Sequence, residues 1–141
     1  MRVLHIALSA LTAAGLFLNA AIHLRLAPTF DAITGSILSH GDLFRIQSVV
    51  GILAIALLVL VRRWWGTVLA AIVALGGLGM LVVSTLVPLD LTVLGLPFLF
   101  EPVWYTDKTV AAVAQATAGF AAAALALLQY RHRHRRGTAP R

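Results

Sequence analysis

Apolar residues along this chain come in four long runs, about residues 3–26, 44–61, 66–87 and 108–130, and the stretches between and beyond them hold most of the charge and every proline. The runs are continuous and rich in Leu and Ala. They lack the alternation over about ten residues that marks the strands of a membrane barrel. A helix rises about 1.5 Å per residue, so roughly 20 apolar residues cross a hydrocarbon layer of about 30 Å. Without water every backbone N–H and C=O must be satisfied within its own segment, which selects helices. The expectation is an all-α polytopic membrane protein, a bundle of four transmembrane helices forming a single domain over residues 1–141.

Composition strengthens this reading. Of 141 residues, 60% are hydrophobic and 11% charged, and the mean hydropathy is +0.94, too little polar surface to cover a water-soluble globule of this size. The four runs leave no stretch long enough for a separate soluble domain. Residues 1–21 share features of a signal peptide, but the apolar run continues past the small-residue patch Asn19-Ala20-Ala21, and a retained helix is expected. The absence of cysteine excludes disulfides, thiolate metal sites and covalent c-type haem. No phosphate-binding loop, dinucleotide fingerprint or H-E-x-x-H motif occurs.

Charge then orients the chain. Arg2, Arg62, Arg63, Arg131, Arg133, Arg135, Arg136 and Arg141 flank one set of helix ends, a charge of +8. The other ends and their loops carry Arg25, Arg45 and Lys108 against Asp31, Asp42, Asp90, Glu101 and Asp107, a charge of −2. Basic residues resist translocation, so both termini are expected in the cytoplasm, in a bacterial cytoplasmic membrane. Trp64, Trp65 and Tyr130 at one interface and Phe98, Phe100, Trp104 and Tyr105 at the other would form aromatic belts. The pI of about 11.4 arises largely from the tail at 131–141, which reads as an anchor for anionic lipid and not as a nucleic-acid site. Metal binding by His132 and His134 is opposed by the intervening arginines.

Small residues mark the expected packing seams, because close backbone approach is the main source of contact energy between helices in lipid. The fourth run offers Ala114, Ala118, Ala122 and Ala126 with Gly119 and Ala123; the third offers Gly76, Gly77 and Gly79; the first offers Ala13, Ala14 and Gly15. The turn near Arg62 and Arg63 makes the second and third helices antiparallel neighbours. Asp42 is placed to cap the second helix and Asp107 the fourth. The loop at 88–107 is oily yet broken by proline, so it should lie in the interface or fold back over the bundle.

Ionisable and amide side chains near the outer helix ends are the candidate site, since such groups are costly in a membrane unless paired or wet. Asn19 and His23 share a helix face; Arg45 and Gln47 open the second helix; Lys108 opens the fourth and Gln115 lies two turns inside it. With Trp104 and Tyr105 as a cover, these residues would bind a small anionic or carbonyl-bearing ligand or a lipid headgroup. Each also has a structural reading: Arg45 and Lys108 snorkelling to the headgroups, His23 bonded to a backbone carbonyl, and Gln115 as interhelical glue. His23, His40 and Glu101 would suit zinc or copper as a metal set. A b-type haem is not expected, because His23 has no matching histidine on a facing helix.

The segment Gly15-Leu-Phe-Leu-Asn-Ala-Ala-Ile-His23 and the short basic turn between the second and third helices resemble the DoxX-like family of four-helix membrane proteins. Glu101-Pro102-Val-Trp104 is similar to the loop before the last helix in small four-helix proteins of high-GC bacteria. The resemblance implies an accessory membrane subunit, often linked to redox or thiosulfate chemistry. The lack of cysteine, and Arg45 and Gln47 where that group often carries an acid early in the second helix, argue against the redox role.

Three function classes remain open. The first is a non-enzymatic accessory or ligand-binding membrane protein, alone, as a homo-oligomer or with a partner subunit. A small oligomeric transporter or channel is the second, though no polar stripe crosses the inner halves of the helices beyond Ser9, Thr12 and Thr67. A membrane enzyme is the third, and it would need His23, His40, Glu101 and Asp107 to converge.

Overall fold

The computed structural model describes residues 2–61 and 63–137, with side chains to Arg133. Arg62 and Arg141, and the side chains of His134, Arg135 and Arg136, lie outside the described residues. The described chain is helical throughout its long elements: α1 (Arg2–Leu26), α2 (His40–Ala56), α3 (Trp64–Leu86) and α4 (Thr106–Gly137). A wide π-type turn, Leu57–Val61, prolongs α2, and short 3-10 turns at Ala27–Phe30 and Thr92–Leu94 lie in the two long loops. Four stretches, Arg2–Phe30, His40–Val61, Trp64–Leu86 and Thr106–Arg133, are long and apolar enough to cross a membrane.

Three contacts order α1 against α4. Gly15 abuts Ala114 and Ala118, Arg25 pairs with Asp107, and the rings of His5 and His132 lie 5.8 Å apart. Ascending positions on one helix meet descending positions on the other, so the two are antiparallel. One end of the bundle carries both long loops. The other carries the start of α1, the end of α4 and the turn at Arg63, and the two are the long-loop end and the short-turn end.

The core is built from small side chains. Leu16, Ala54, Ala70, Ala71, Ala74, Ala118 and Ala122 form its centre, while Phe17, Leu60, Leu86, Val113 and Phe120 stand exposed on the outside. This reverses the sorting of a water-soluble bundle, where the large apolar groups turn inward. Small residues let the backbones approach closely and gain dispersion along the whole seam. Gly15 is an extreme case: a Cβ there would lie 2.6 Å from the Ala114 carbonyl oxygen. The third helix differs from expectation. Only Gly77 packs inward, and an added Cβ at Gly76 or Gly79 would meet nothing within 4 Å.

Helix α2 starts at His40, one turn before the expected position, because Ser39 is its cap. The Ser39 hydroxyl accepts from the Asp42 backbone N–H and the Asp42 carboxylate accepts from the Ser39 backbone N–H, both at 3.0 Å. Asp42 is therefore the third helical residue of a capping box and not the cap itself. Asp107 sits in the first turn of α4, where a carboxylate complements the helix dipole, and is engaged by Arg25.

The long loops close over one another. The Gly95 carbonyl accepts backbone N–H groups of Ile37 at 2.8 Å and Leu38 at 3.2 Å. Gly95 can present it because its φ of 77° is the left-handed conformation that glycine adopts without strain. Leu89 and Leu99 exchange two backbone bonds, and the Glu101 N–H reaches the Ser84 carbonyl at 2.9 Å. The loop at 88–107 thus folds back on the bundle, burying Pro97 and Leu99 while leaving Val93 and Trp104 exposed.

Candidate functional site

Beneath these loops, at the long-loop end, lies a cavity of about 320 Å³. α1 contributes Ile22 and His23; α2 contributes Phe44 and Gln47; α3 contributes Gly77, Met80 and Ser84; and Leu99, Glu101, Tyr105, Lys108 and Gln115 complete the wall. The alanine core contributes none of the lining residues.

Four rings pack together on one side, and three of them, His23, His40 and Phe44, line the cavity. Phe44 is the hub, with the His23 ring at 4.8 Å, His40 at 4.8 Å and Phe30 at 5.0 Å between centroids. The edge-on arrangements of both histidines on Phe44 suit the ring quadrupoles. His23 Nδ1 lies 2.9 Å from the Asn19 carbonyl oxygen. A carbonyl only accepts, so Nδ1 carries the proton, and in the neutral ring Nε2 remains an acceptor.

The cations expected to bind a ligand are already engaged. Arg45 grips Asp31 with NH1 at 2.7 Å and NH2 at 2.8 Å, adds Asp42 at 3.1 Å, and lies outside the cavity wall. Its guanidinium holds the Asp31 carboxyl below the usual carboxylate range, chiefly through the hydrogen bond. Lys108 is only 3% exposed. Its ammonium donates to the carbonyls of Glu101 and Val103, stands 3.7 Å from the Glu101 carboxylate, and lies 5.3 Å from the centre of the Trp104 ring. Burying that charge is tolerable because donors and countercharge are satisfied together. Tyr105 is pushed up from the ordinary phenol range, first by burial and then by the adjacent Glu101 carboxylate to which it hydrogen-bonds.

What remains unspent is amide. Gln47 Nε2 and Gln115 Oε1 are both buried without a hydrogen-bond partner. The two side chains converge on Gly77, where an added Cβ would lie 2.7 Å from Gln47 Nε2 and would also strike Gln115. Glycine at that position leaves room for both amides. Asn19 is fully buried with neither amide atom partnered, but it stands on α1 outside the cavity wall. Ser48 shows what a satisfied neighbour looks like: its hydroxyl is 3.0 Å from the Ala20 carbonyl and 2.8 Å from that of Phe44.

Of the residues singled out in the sequence, His23, Gln47, Tyr105, Lys108 and Gln115 line the cavity together with His40 and Glu101. Asn19, Arg45 and Trp104 do not. The metal set His23, His40 and Glu101 shares one cavity, yet among the described residues no group of three His, Asp or Glu side chains is placed to hold a metal ion. His23 has its Nδ1 on the Asn19 carbonyl and Glu101 is engaged by Lys108. Sequence reasoning missed Phe44 and the whole α3 wall. The pair Gly76-Gly77 was the available signal, read there only as a packing surface.

The chain matches no protein-family model, no curated protein and no solved structure.

Proposed function

We propose that this chain is a four-span protein of a bacterial cytoplasmic membrane, with both termini cytoplasmic, that binds a small carbonyl- or hydroxyl-bearing molecule in the cavity at the outer end of the bundle. The observation that carries this is a pair of buried amide atoms without a partner, Gln47 Nε2 and Gln115 Oε1, on side chains that line one largely apolar space of about 320 Å³. A buried amide without a partner loses its bonds to water and gains nothing, so a polar occupant of the space is the economical way to satisfy it. Engagement of Arg45 and Lys108 by carboxylates favours a neutral carbonyl ligand over an anion.

The inverted sorting of small and large apolar residues supports a lipid environment, and the charge asymmetry of +8 against −2 supports the orientation. The DoxX-like layout fits a non-enzymatic accessory role. The cavity takes none of its lining from the alanine core, and Thr12 gives its hydroxyl to the Leu8 carbonyl, which does not favour a transport path through one copy of the chain.

Native mass spectrometry of the protein released from nanodiscs tests the site. A small molecule should be retained by the wild type and lost from the Gln47→Leu, Gln115→Leu double variant. Equal retention by both removes this reading. Reporter fusions at Arg63 and after Arg133 should report cytoplasm and an insertion at Gly35 the outside; a C-terminal fusion reporting the outside overturns the topology.

A further inference from the structure

The helices do not close around the cavity on every side. Near the short-turn end α2 and α3 converge, and a Cβ on Gly66 would lie 3.3 Å from the Leu57 carbonyl oxygen. Near the long-loop end the α2 side chain Gln47 still reaches Gly77, but a Cβ on the adjacent Gly76, which also lines the cavity, would meet nothing within 4 Å and leaves a gap there. The rim of this gap is apolar, with Ile46 of α2 at 47% exposure and Met80 of α3 at 48%. Above the cavity the way is closed by the bonds from Ile37 and Leu38 to Gly95, the Leu89–Leu99 bridge and the tie from Glu101 to Ser84. The roofed side faces the loops and the open side faces the surface where lipid would lie.

We infer that the ligand is a neutral, single-chain amphiphile that reaches the cavity sideways from the bilayer, between α2 and α3, with its head against Gln47, Gln115 and His23 and its tail leaving past Gly76, Ile46 and Met80. This rests on the ligand-binding reading above and names the class of ligand. The head is neutral because Lys108, the cation in the wall, already has the Glu101 carboxylate and two carbonyls. It both donates and accepts, as hydroxyl and amide heads do, because Gln47 Nε2 lacks an acceptor, Gln115 Oε1 lacks a donor, and His23 Nε2 is an acceptor in the neutral ring. The chain is single because the head and the start of the tail share a cavity of about 320 Å³, the volume of about ten waters, which leaves room beside the head for the start of one chain and not of two. A tail that stays in the gap remains in hydrocarbon while the amides gain their partners, so neither half of the molecule is misplaced.

The full chain in phosphatidylcholine nanodiscs, with a monoacylglycerol carrying a diazirine in its tail, gives the test. Crosslinks mapped by peptide mass spectrometry should concentrate on the α2 and α3 peptides holding Ile46 and Met80. Unlabelled monoacylglycerol should compete, and a lysophosphatidic acid of the same chain length should compete at least tenfold less well. Gly76→Trp and Ile46→Trp, at positions with open space or surface exposure, should lower labelling tenfold or more, whereas Phe120→Trp on the exposed face of α4 should leave it unchanged; circular dichroism and elution volume check that all three fold. Unchanged labelling in Gly76→Trp, with the Gln115-dependent molecule still retained in native mass spectrometry, overturns sideways access and leaves the site standing. Equal competition by the anionic lipid overturns the neutral head. No labelling above that of the outer surface in the wild type overturns the lipid class, and loss of the retained molecule as well removes the site itself.

Discussion

Arg45 holds Asp31 across fourteen residues of chain through two parallel hydrogen bonds, NH1 to Oδ1 at 2.7 Å and NH2 to Oδ2 at 2.8 Å. The forked geometry joins the first long loop to the second turn of α2. Because the Asp31 carboxyl is held below its usual value by this bond, the stabilisation is fully present above the unfolded pKa of about 3.9 and is lost as pH falls through the lower folded value. Thermal melts of wild type and Arg45→Gln in the same detergent should differ by a constant margin from pH 8 to pH 5, and the margin should close below pH 4. A margin that persists in strong acid assigns it to something other than this pair.

On the proposed ligand-binding reading, Gln115 is a stability cost retained for binding. It is 1% exposed and its Oε1 has no partner, so Gln115→Met, close in shape, should stabilise the ligand-free protein by roughly 1 kcal/mol while abolishing retention of the small molecule. A destabilised methionine variant would show that the amide is bonded within the bundle and is structural glue.

Gly15 and Gly79 make a matched pair. Gly15→Ala puts a methyl 2.6 Å from the Ala114 carbonyl oxygen and 2.9 Å from the Ala118 Cβ, and backbone cannot retreat as a side-chain tip can, so a loss of about 1–3 kcal/mol is expected. Gly79→Ala meets nothing within 4 Å and should gain up to about 1 kcal/mol from helix propensity. Denaturant titration of both variants in mixed micelles measures the difference, and equal effects would contradict the seam.

Tyr105 should ionise late. In a Tyr130→Phe background it is the remaining tyrosine, and its ultraviolet phenolate band should stay below half height at pH 10, near the ordinary phenol value, because burial and the Glu101 carboxylate oppose the anion. Glu101→Gln should move the titration down toward that value. By linkage, the folded state loses stability as pH rises above the unfolded phenol value, since the unfolded chain releases its proton first. A midpoint at pH 10 in the parent would place Tyr105 in water.

The four helices, the alanine seam of α4 and the clustering of polar groups at one end were all legible along the chain, because hydropathy, small-residue spacing and helix period are local properties that survive without knowing any partner. Ser39 was legible in principle, as a serine three residues before an acid, but Asp42 drew the assignment because either residue type can cap. What only the tertiary structure decided was how each polar group is used. Arg45 is engaged by Asp31 and Arg25 by Asp107, 82 residues away. Lys108 is buried against loop carbonyls rather than snorkelling. The cavity runs to α3 at Gly76 and Gly77, a pair whose lack of side chains does not by itself tell a cavity wall from a packing seam. Charge pairing and enclosed space depend on which distant segments meet and at what depth, and no periodicity within a single helix encodes that meeting.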